Sequence, residues 1–164
     1  MDRRLLLPIV ATLALGACTW KPYLQADLAP GANLGAYRTY AWSPQAPPEG
    51  TNLVAYERMK SQVEASLAAK GYVPGRPADL TLVLTVASKD RVGTYLWVGP
   101  NYWNAPYDVI HYPEGTVTLD VLDARTRRAL WHGSAVQALQ PDGPNPKTDE
   151  AAISGVMSRF PARG

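Results

Sequence analysis

Asn52-Leu53-Val54-Ala55-Tyr56-Glu57-Arg58-Met59-Lys60-Ser61-Gln62-Val63-Glu64-Ala65-Ser66-Leu67-Ala68-Ala69-Lys70-Gly71-Tyr72 is followed, seven residues later, by Leu80-Thr81-Leu82-Val83-Leu84-Thr85-Val86-Ala87. In the first stretch Leu53, Tyr56, Met59, Val63 and Leu67 recur at spacings of three and four, and Glu57, Lys60, Glu64 and Lys70 lie off that stripe. That period predicts an amphipathic helix over about residues 52–70. Thr51 or Asn52 is placed to cap its start. Gly71 can take the left-handed conformation just past its end, with Tyr72 folding back towards Leu67. In the second stretch Leu80, Leu82, Leu84 and Val86 alternate with their neighbours, which predicts a strand with one strongly apolar face.

The segments on either side follow the same two periods. Tyr37 to Trp42 is rich in aromatic and β-branched residues and stops at Ser43-Pro44, so it reads as a strand. With a helix between them, this strand and the one at Leu80 are expected as parallel neighbours joined by a crossover. Thr116 to Leu122 alternates again, Asp123 to Arg127 supplies turn residues, and Ala129 to Leu139 returns as its hairpin partner. Trp131 and Gly133 share a face of that strand, which implies either room for the indole or a bulge. A second helix is expected from a cap near Thr148, striped by Ile153, Val156, Met157 and Phe160 and stopped by Pro161. Gly155 either weakens it or lets it approach the sheet. The expectation is an α+β fold: a two-layer sandwich of a mostly antiparallel sheet with a βαβ start, a β-hairpin and a C-terminal helix, both helices on one face.

Upstream of the fold the chain carries a different signal. Arg3 and Arg4 precede an apolar run from Leu5 to Leu15, and Gly16-Ala17 lead into Cys18, the single cysteine. The run falls short of the roughly twenty apolar residues that span a bilayer, and it fits the h-region of a secretory signal. Leu15-Gly16-Ala17-Cys18 resembles the lipobox of bacterial lipoproteins, which implies a diacylglycerol on the Cys18 thiol and a further acyl chain on its amine after cleavage. About three chains exceed what stable anchoring needs. By the same resemblance, Thr19 in place of an aspartate directs the protein to the outer membrane. The expected organisation is therefore a signal peptide over 1–17, a lipidated Cys18 with a tether over 18–35 holding a short edge segment near Tyr23 to Leu28, and one periplasmic domain over 36–164.

Composition bounds the function. The formal net charge is +2, near neutral, and gives no reason to expect a nucleic-acid partner. With Cys18 acylated no thiol is left for a disulfide, so packing has to supply the stability. Fifteen prolines and thirteen glycines cluster outside the periodic segments and imply long ordered loops.

Several stretches together resemble a family of bacterial lipoproteins catalogued as domain-of-unknown-function family 4136. They are Tyr37 to Trp42, Ala69-Lys70-Gly71-Tyr72 ahead of Ala78-Asp79-Leu80, Glu114-Gly115-Thr116 with Asp120 to Thr126, Leu130 to Ala135, and Phe160-Pro161. The resemblance implies an α+β domain behind a lipoprotein signal and no assigned activity. The chain departs from it near Asn33-Leu34, where such proteins often carry an acidic residue and an aromatic, and in the long segment between the second strand and the hairpin, where an individual function would sit.

That segment, residues 90–113, reads as a long loop containing Tyr95, Trp97, Tyr102, Trp103, Tyr107 and Tyr112 among glycines and prolines. Flat amphipathic rings suit protein partners and sugar faces alike, and they equally serve to cover a sheet edge. Other constellations are thinner. His111 and His132 are the two histidines, and Asp120 or Asp123 could join His132 across the hairpin, short of the three or four ligands a metal requires. Gly133-Ser134-Ala135 lacks the nucleophile elbow of serine hydrolases, and no phosphate-cradling glycine loop is present. Arg125, Arg127 and Arg128 crowd the hairpin turn, where they would meet anionic headgroups or simply keep the turn solvated. No catalytic residues, no metal and no cofactor are expected. The expected activity is a non-enzymatic envelope lipoprotein, membrane-bound through Cys18, binding an envelope protein through the 95–112 rings. Peptidoglycan or polysaccharide binding through the same rings is the alternative, and an envelope hydrolase ranks last.

Overall fold

Leu80, Leu82, Leu84, Val117, Leu119, Val121, Leu130, Trp131 and Ala135 are all buried, and all but Leu130 fall at alternate positions of three adjacent strands. The computed structural model describes residues 22–96, 107–139 and 145–163. Its elements run β1 (Tyr23–Leu28), β2 (Thr39–Trp42), α1 (Leu53–Ala69), β3 (Val73–Pro74), β4 (Leu80–Leu96), β5 (Tyr107–Asp123), β6 (Ala129–Ala138) and α2 (Pro146–Ser158). The strands form one open, mixed sheet in the order β1-β6-β5-β4-β2-β3. β2 is parallel to both β3 and β4, and the remaining pairs are antiparallel. The α+β class therefore holds. The edge segment expected inside the tether is β1, paired over all six residues with β6, so the sheet begins at Tyr23.

α1 starts where Asn52 accepts a hydrogen bond from the Ala55 amide at 3.1 Å. It ends in a Schellman motif: Gly71 has φ +86°, the Tyr72 amide donates to Leu67 O at 3.0 Å and the Gly71 amide to Ala68 O at 3.1 Å. The buried stripe is Ala55, Tyr56, Met59, Val63 and Leu67. Leu53, expected on that stripe, is 62% exposed. It is the first helical residue, and the small Ala55 occupies the inward position of that turn. Tyr56 anchors the helix to the sheet by donating its hydroxyl to Leu84 O at 3.1 Å.

α2 begins one turn before the expected cap at Thr148. Asn145 is the cap, accepting from the Lys147 amide, because Pro146 suits the first helical position, where its missing N–H leaves no bond unmade. Gly155 resolves in favour of close approach: a Cβ there would lie 2.8 Å from Leu24 Cδ1 of β1. On β6 the indole of Trp131 lies over Gly133, and the irregularity in register falls elsewhere, between Val121 and Leu122.

Asp79 fastens the start of β2 to the start of β4. Its Oδ2 accepts from the Arg38 amide at 2.9 Å and the Thr39 amide at 2.8 Å. The Thr39 amide, then the Arg38 amide, hold the carboxyl below its ordinary range. A depressed folded value means that stability is present above the unfolded value and is lost as pH falls through the folded one. Asp79→Asn should therefore cost stability at pH 7, about 1 kcal/mol because the group is exposed, and the gap to the parent should close in acid. Urea midpoints at pH 7 and pH 3 check this, and a gap that persists at pH 3 contradicts it.

Candidate functional site

β4 and β5 stay paired over seventeen residues, from Leu80 opposite Asp123 to Leu96 opposite Tyr107. Their neighbours stop much earlier: β6 accompanies β5 only as far as Glu114, and β2 accompanies β4 only over Leu80 to Leu82. The Leu139 amide adds one last bond, to Pro113 O at 2.7 Å, and beyond Asp90 and Pro113 the sheet is a two-stranded ribbon with neither edge paired among the described residues. The stretch read as a loop is mostly this ribbon. Lys89 and Arg91, which break the apolar alternation, are cross-strand partners of Glu114 at 3.7 and 2.9 Å. The charges continue a ladder into what the sequence presents as a long loop.

The candidate aromatics divide accordingly. Position 95 is paired with 108, position 96 with 107 and position 91 with 112. Position 112 thus lies several pairs down the ribbon from 95 and 107. Tyr112 is half-buried, and Val92 on the ribbon is 64% exposed. Trp97, Tyr102 and Trp103 lie outside the described residues, as does Cys18.

The other constellations are placed as follows. His132 Nδ1 lies 2.7 Å from Asp120 Oδ1 across β5 and β6, so of the two carboxylates the sequence offers it, Asp120 and Asp123, the first is its neighbour. Asp27 aligns with His132 from β1, but no three potential ligands converge among the described residues. His111 is exposed on the ribbon opposite Val92. Ser134 sits within β6 opposite Thr118, with no strained turn around it. The arginine turn is built into the fold. Asp123 Oδ1 accepts from the amides of Arg125 and Thr126, Arg127 has φ +61°, and Arg128 Nη2 donates to Pro30 O at 2.7 Å. The Thr126 amide, foremost among these partners, holds the Asp123 carboxyl below its ordinary range.

Two clefts flank α1. One, of about 530 Å³, opens beside the unpaired edge of β4 at Trp42 and Tyr56. Lys60 Nζ stands 5.3 Å from the Trp42 ring and 5.9 Å from the Tyr56 ring, 3.2 Å from Glu57 Oε2, while the indole N–H donates to Glu64 at 2.7 Å. The other, of about 700 Å³, lies between the sheet and the first turns of both helices. Sequence reasoning missed it, since its walls come from several separated segments.

Asp149, on the wall of the larger cleft, is 8% exposed and receives a bond from Arg58 Nη2 at 3.3 Å. Burial raises its carboxyl above the ordinary range, against the pull of Arg58. A raised folded value works in the opposite sense to Asp79: its ionisation costs stability as pH rises through that value. Arg58→Met strands the carboxylate and is expected to destabilise by about 2 kcal/mol, below the roughly 3–5 of a fully buried pair because Arg58 is partly exposed. Asp149→Asn should cost clearly less. Equal urea midpoints for the two variants would contradict the assignment.

One open mixed sheet with two helices and a two-stranded ribbon is an α+β domain. The chain belongs to the family described as "Domain of unknown function (DUF4136)", whose sequence profile matches residues 24–162. Among solved structures it is similar to a PDZ domain protein from Parabacteroides distasonis, at 12% identity and a TM-score of 0.61, over 86% of this chain and 36% of that one. This chain thus spans about a third of that protein's length. It is also similar to PelC from Paraburkholderia phytofirmans, in a dodecamer of a single-substitution variant at 18% identity and in a second dodecamer at 16%. Both have a TM-score of 0.55, with 87% of this chain and 99% of that chain covered. At these identities the likeness is one of fold. No curated protein matches this chain.

Proposed function

We propose that the protein is a non-catalytic lipoprotein of the cell envelope, held on the periplasmic side of the outer membrane by acyl chains on Cys18, which binds a protein partner through the β4–β5 ribbon. The observation that carries this reading is the ribbon itself. Two strands alone are marginally stable in water, and unpaired strand edges are templates for another chain. Val92 stands exposed there, and the ribbon leads into the segment holding Trp97, Tyr102 and Trp103. Tyr95 and Tyr107 stand at the far end of the paired strands, on either side of that segment, and Tyr112 lies further down. We read the rest of the fold as a two-layer sandwich with a β5–β6 hairpin, both helices covering one face so that the ribbon projects past them. Buried residues at alternate positions of β4, β5 and β6 support that layering.

The test is recovery of a stoichiometric protein from solubilised envelopes by the acylated protein, expected to be lost in Trp97→Ala/Trp103→Ala. Recovery unchanged in that variant refutes the ribbon as the binding element, and co-sedimentation with protein-free sacculi would replace a protein by a glycan. Because the similar PelC chains are dodecamers, sedimentation of the purified protein separates self-association from a foreign partner. Cys18→Ala should incorporate no acyl label and leave the membrane fraction. Continued labelling refutes the anchor.

A further inference from the structure

We propose that the cleft between the sheet and the first turns of the two helices binds a cationic amphiphile, an aliphatic body bearing a protonated amine. The inference is independent of the ribbon and of any protein partner. The cleft's volume, about 700 Å³, lies in the range of sites for small organic ligands. Ala55 and Met59 of α1, Val86 of β4, Val117 of β5 and Leu139 after β6 give it apolar walls. Its charged lining residues are Glu49 and Asp149, with no lysine, arginine or histidine among the described residues that line it.

Asp149 supplies the second, independent observation. Its side chain is 12% exposed, and a carboxylate so largely withdrawn from solvent is normally surrounded by short donors. This one receives a single side-chain bond, on Oδ2, at 3.3 Å, where a good charge-assisted bond measures about 2.7–2.9 Å. The Arg58 Nε behind it is itself buried with no partner among the described residues. Oδ1 receives no side-chain bond among the described residues and is not sealed from solvent, so it can accept from a ligand in the cleft. An ammonium brings three donors and a positive charge to that oxygen, while its chain covers Met59, Val86 and Val117. An anionic amphiphile of the same length would set its carboxylate against Asp149 and Glu49. Charge thus selects among ligands that the apolar walls alone would accept equally.

The probes are 11-(dansylamino)undecylamine and 11-(dansylamino)undecanoic acid, matched in length and opposite in charge, titrated by fluorescence into the full chain carrying Cys18→Ser so that no acyl group competes. The amine is expected to bind at least about tenfold tighter than the acid. Asp149→Asn should remove that preference, and Ser88→Trp, which places an indole at the exposed mouth, should weaken both probes at least about tenfold. Should Asp149→Asn fail to fold, Ser88→Trp and Glu49→Gln decide, the latter expected to weaken the amine about threefold and leave the acid unchanged or tighter. Equal affinity for the two probes, an undiminished amine preference in folded Asp149→Asn, or binding unaffected by Ser88→Trp would each overturn the assignment. So would no binding of the amine up to about 1 mM.

Discussion

Phe160→Ala is expected to lower the unfolding free energy by about 3–4 kcal/mol, within the range for truncating a fully buried aromatic. Phe160 is the single phenylalanine of the chain and is 2% exposed, two residues past the end of α2. Its ring meets Trp131 of β6 edge-on, at 5.0 Å between centroids and 88°, and Tyr72 at 5.4 Å and 63°. Such contacts add roughly 0.5–1.5 kcal/mol each beyond the area they bury. They also join three parts of the chain that nothing local brings together: the end of α2, the residue that closes the Schellman turn of α1, and the last strand of the sheet. The Tyr72 hydroxyl extends the junction by donating to Leu34 O at 3.3 Å. A domain of this size has about 5–15 kcal/mol in all, so the loss should move the urea midpoint by a large fraction of its value with little change in slope. Phe160→Leu, which keeps much of the volume, should recover more than half of it. A loss under about 1 kcal/mol for the alanine variant would mean that the junction is not where the helices are held to the sheet.

How far this packing was legible from the residues depends on how local its cause is. Met59, Val63 and Leu67 announce their burial through spacing alone, and Gly71 announces the end of α1 because a left-handed residue is needed there. The His132–Asp120 contact was also legible, since once the hairpin is aligned the two residues face each other. The ribbon was not. Asp90 and Arg91 read as the start of a loop until Glu114, more than twenty residues away, is seen to pair with both Lys89 and Arg91. Asp149 gave no signal either. It stands on the buried face of α2 next to Ala152 and Ile153, yet a carboxylate in the first turn of a helix reads as a solvated dipole partner, and Arg58 lies on another helix. The larger cleft depends on the second omission: its floor is Thr85 to Ser88 of β4 with Gly115 to Val117 of β5, and its charge needs Asp149 inside.

Gly133 offers the sharpest conflict between a local rule and the packing. Glycine weakens a strand interior, so intrinsic propensity alone says that Gly133→Ala should stabilise β6, and Gly133→Val more so. The structure predicts the reverse sign. A Cβ at 133 would lie 2.7 Å from Trp131 Cζ3, inside the contact distance of two carbon atoms. The indole cannot move away, being 3% exposed and held edge-on by Phe160. Gly133→Ala should therefore cost about 2–3 kcal/mol, and Gly133→Val enough to approach loss of the folded state. The mechanism makes a second demand, since the cost belongs to the pair rather than to the glycine. In a Trp131→Leu background, where the ring is gone, Gly133→Ala should cost less than about 1 kcal/mol, and the double-mutant cycle should show a coupling of at least about 1.5 kcal/mol. Additive losses would place the strain elsewhere in β6 and leave the glycine without this reason for being there.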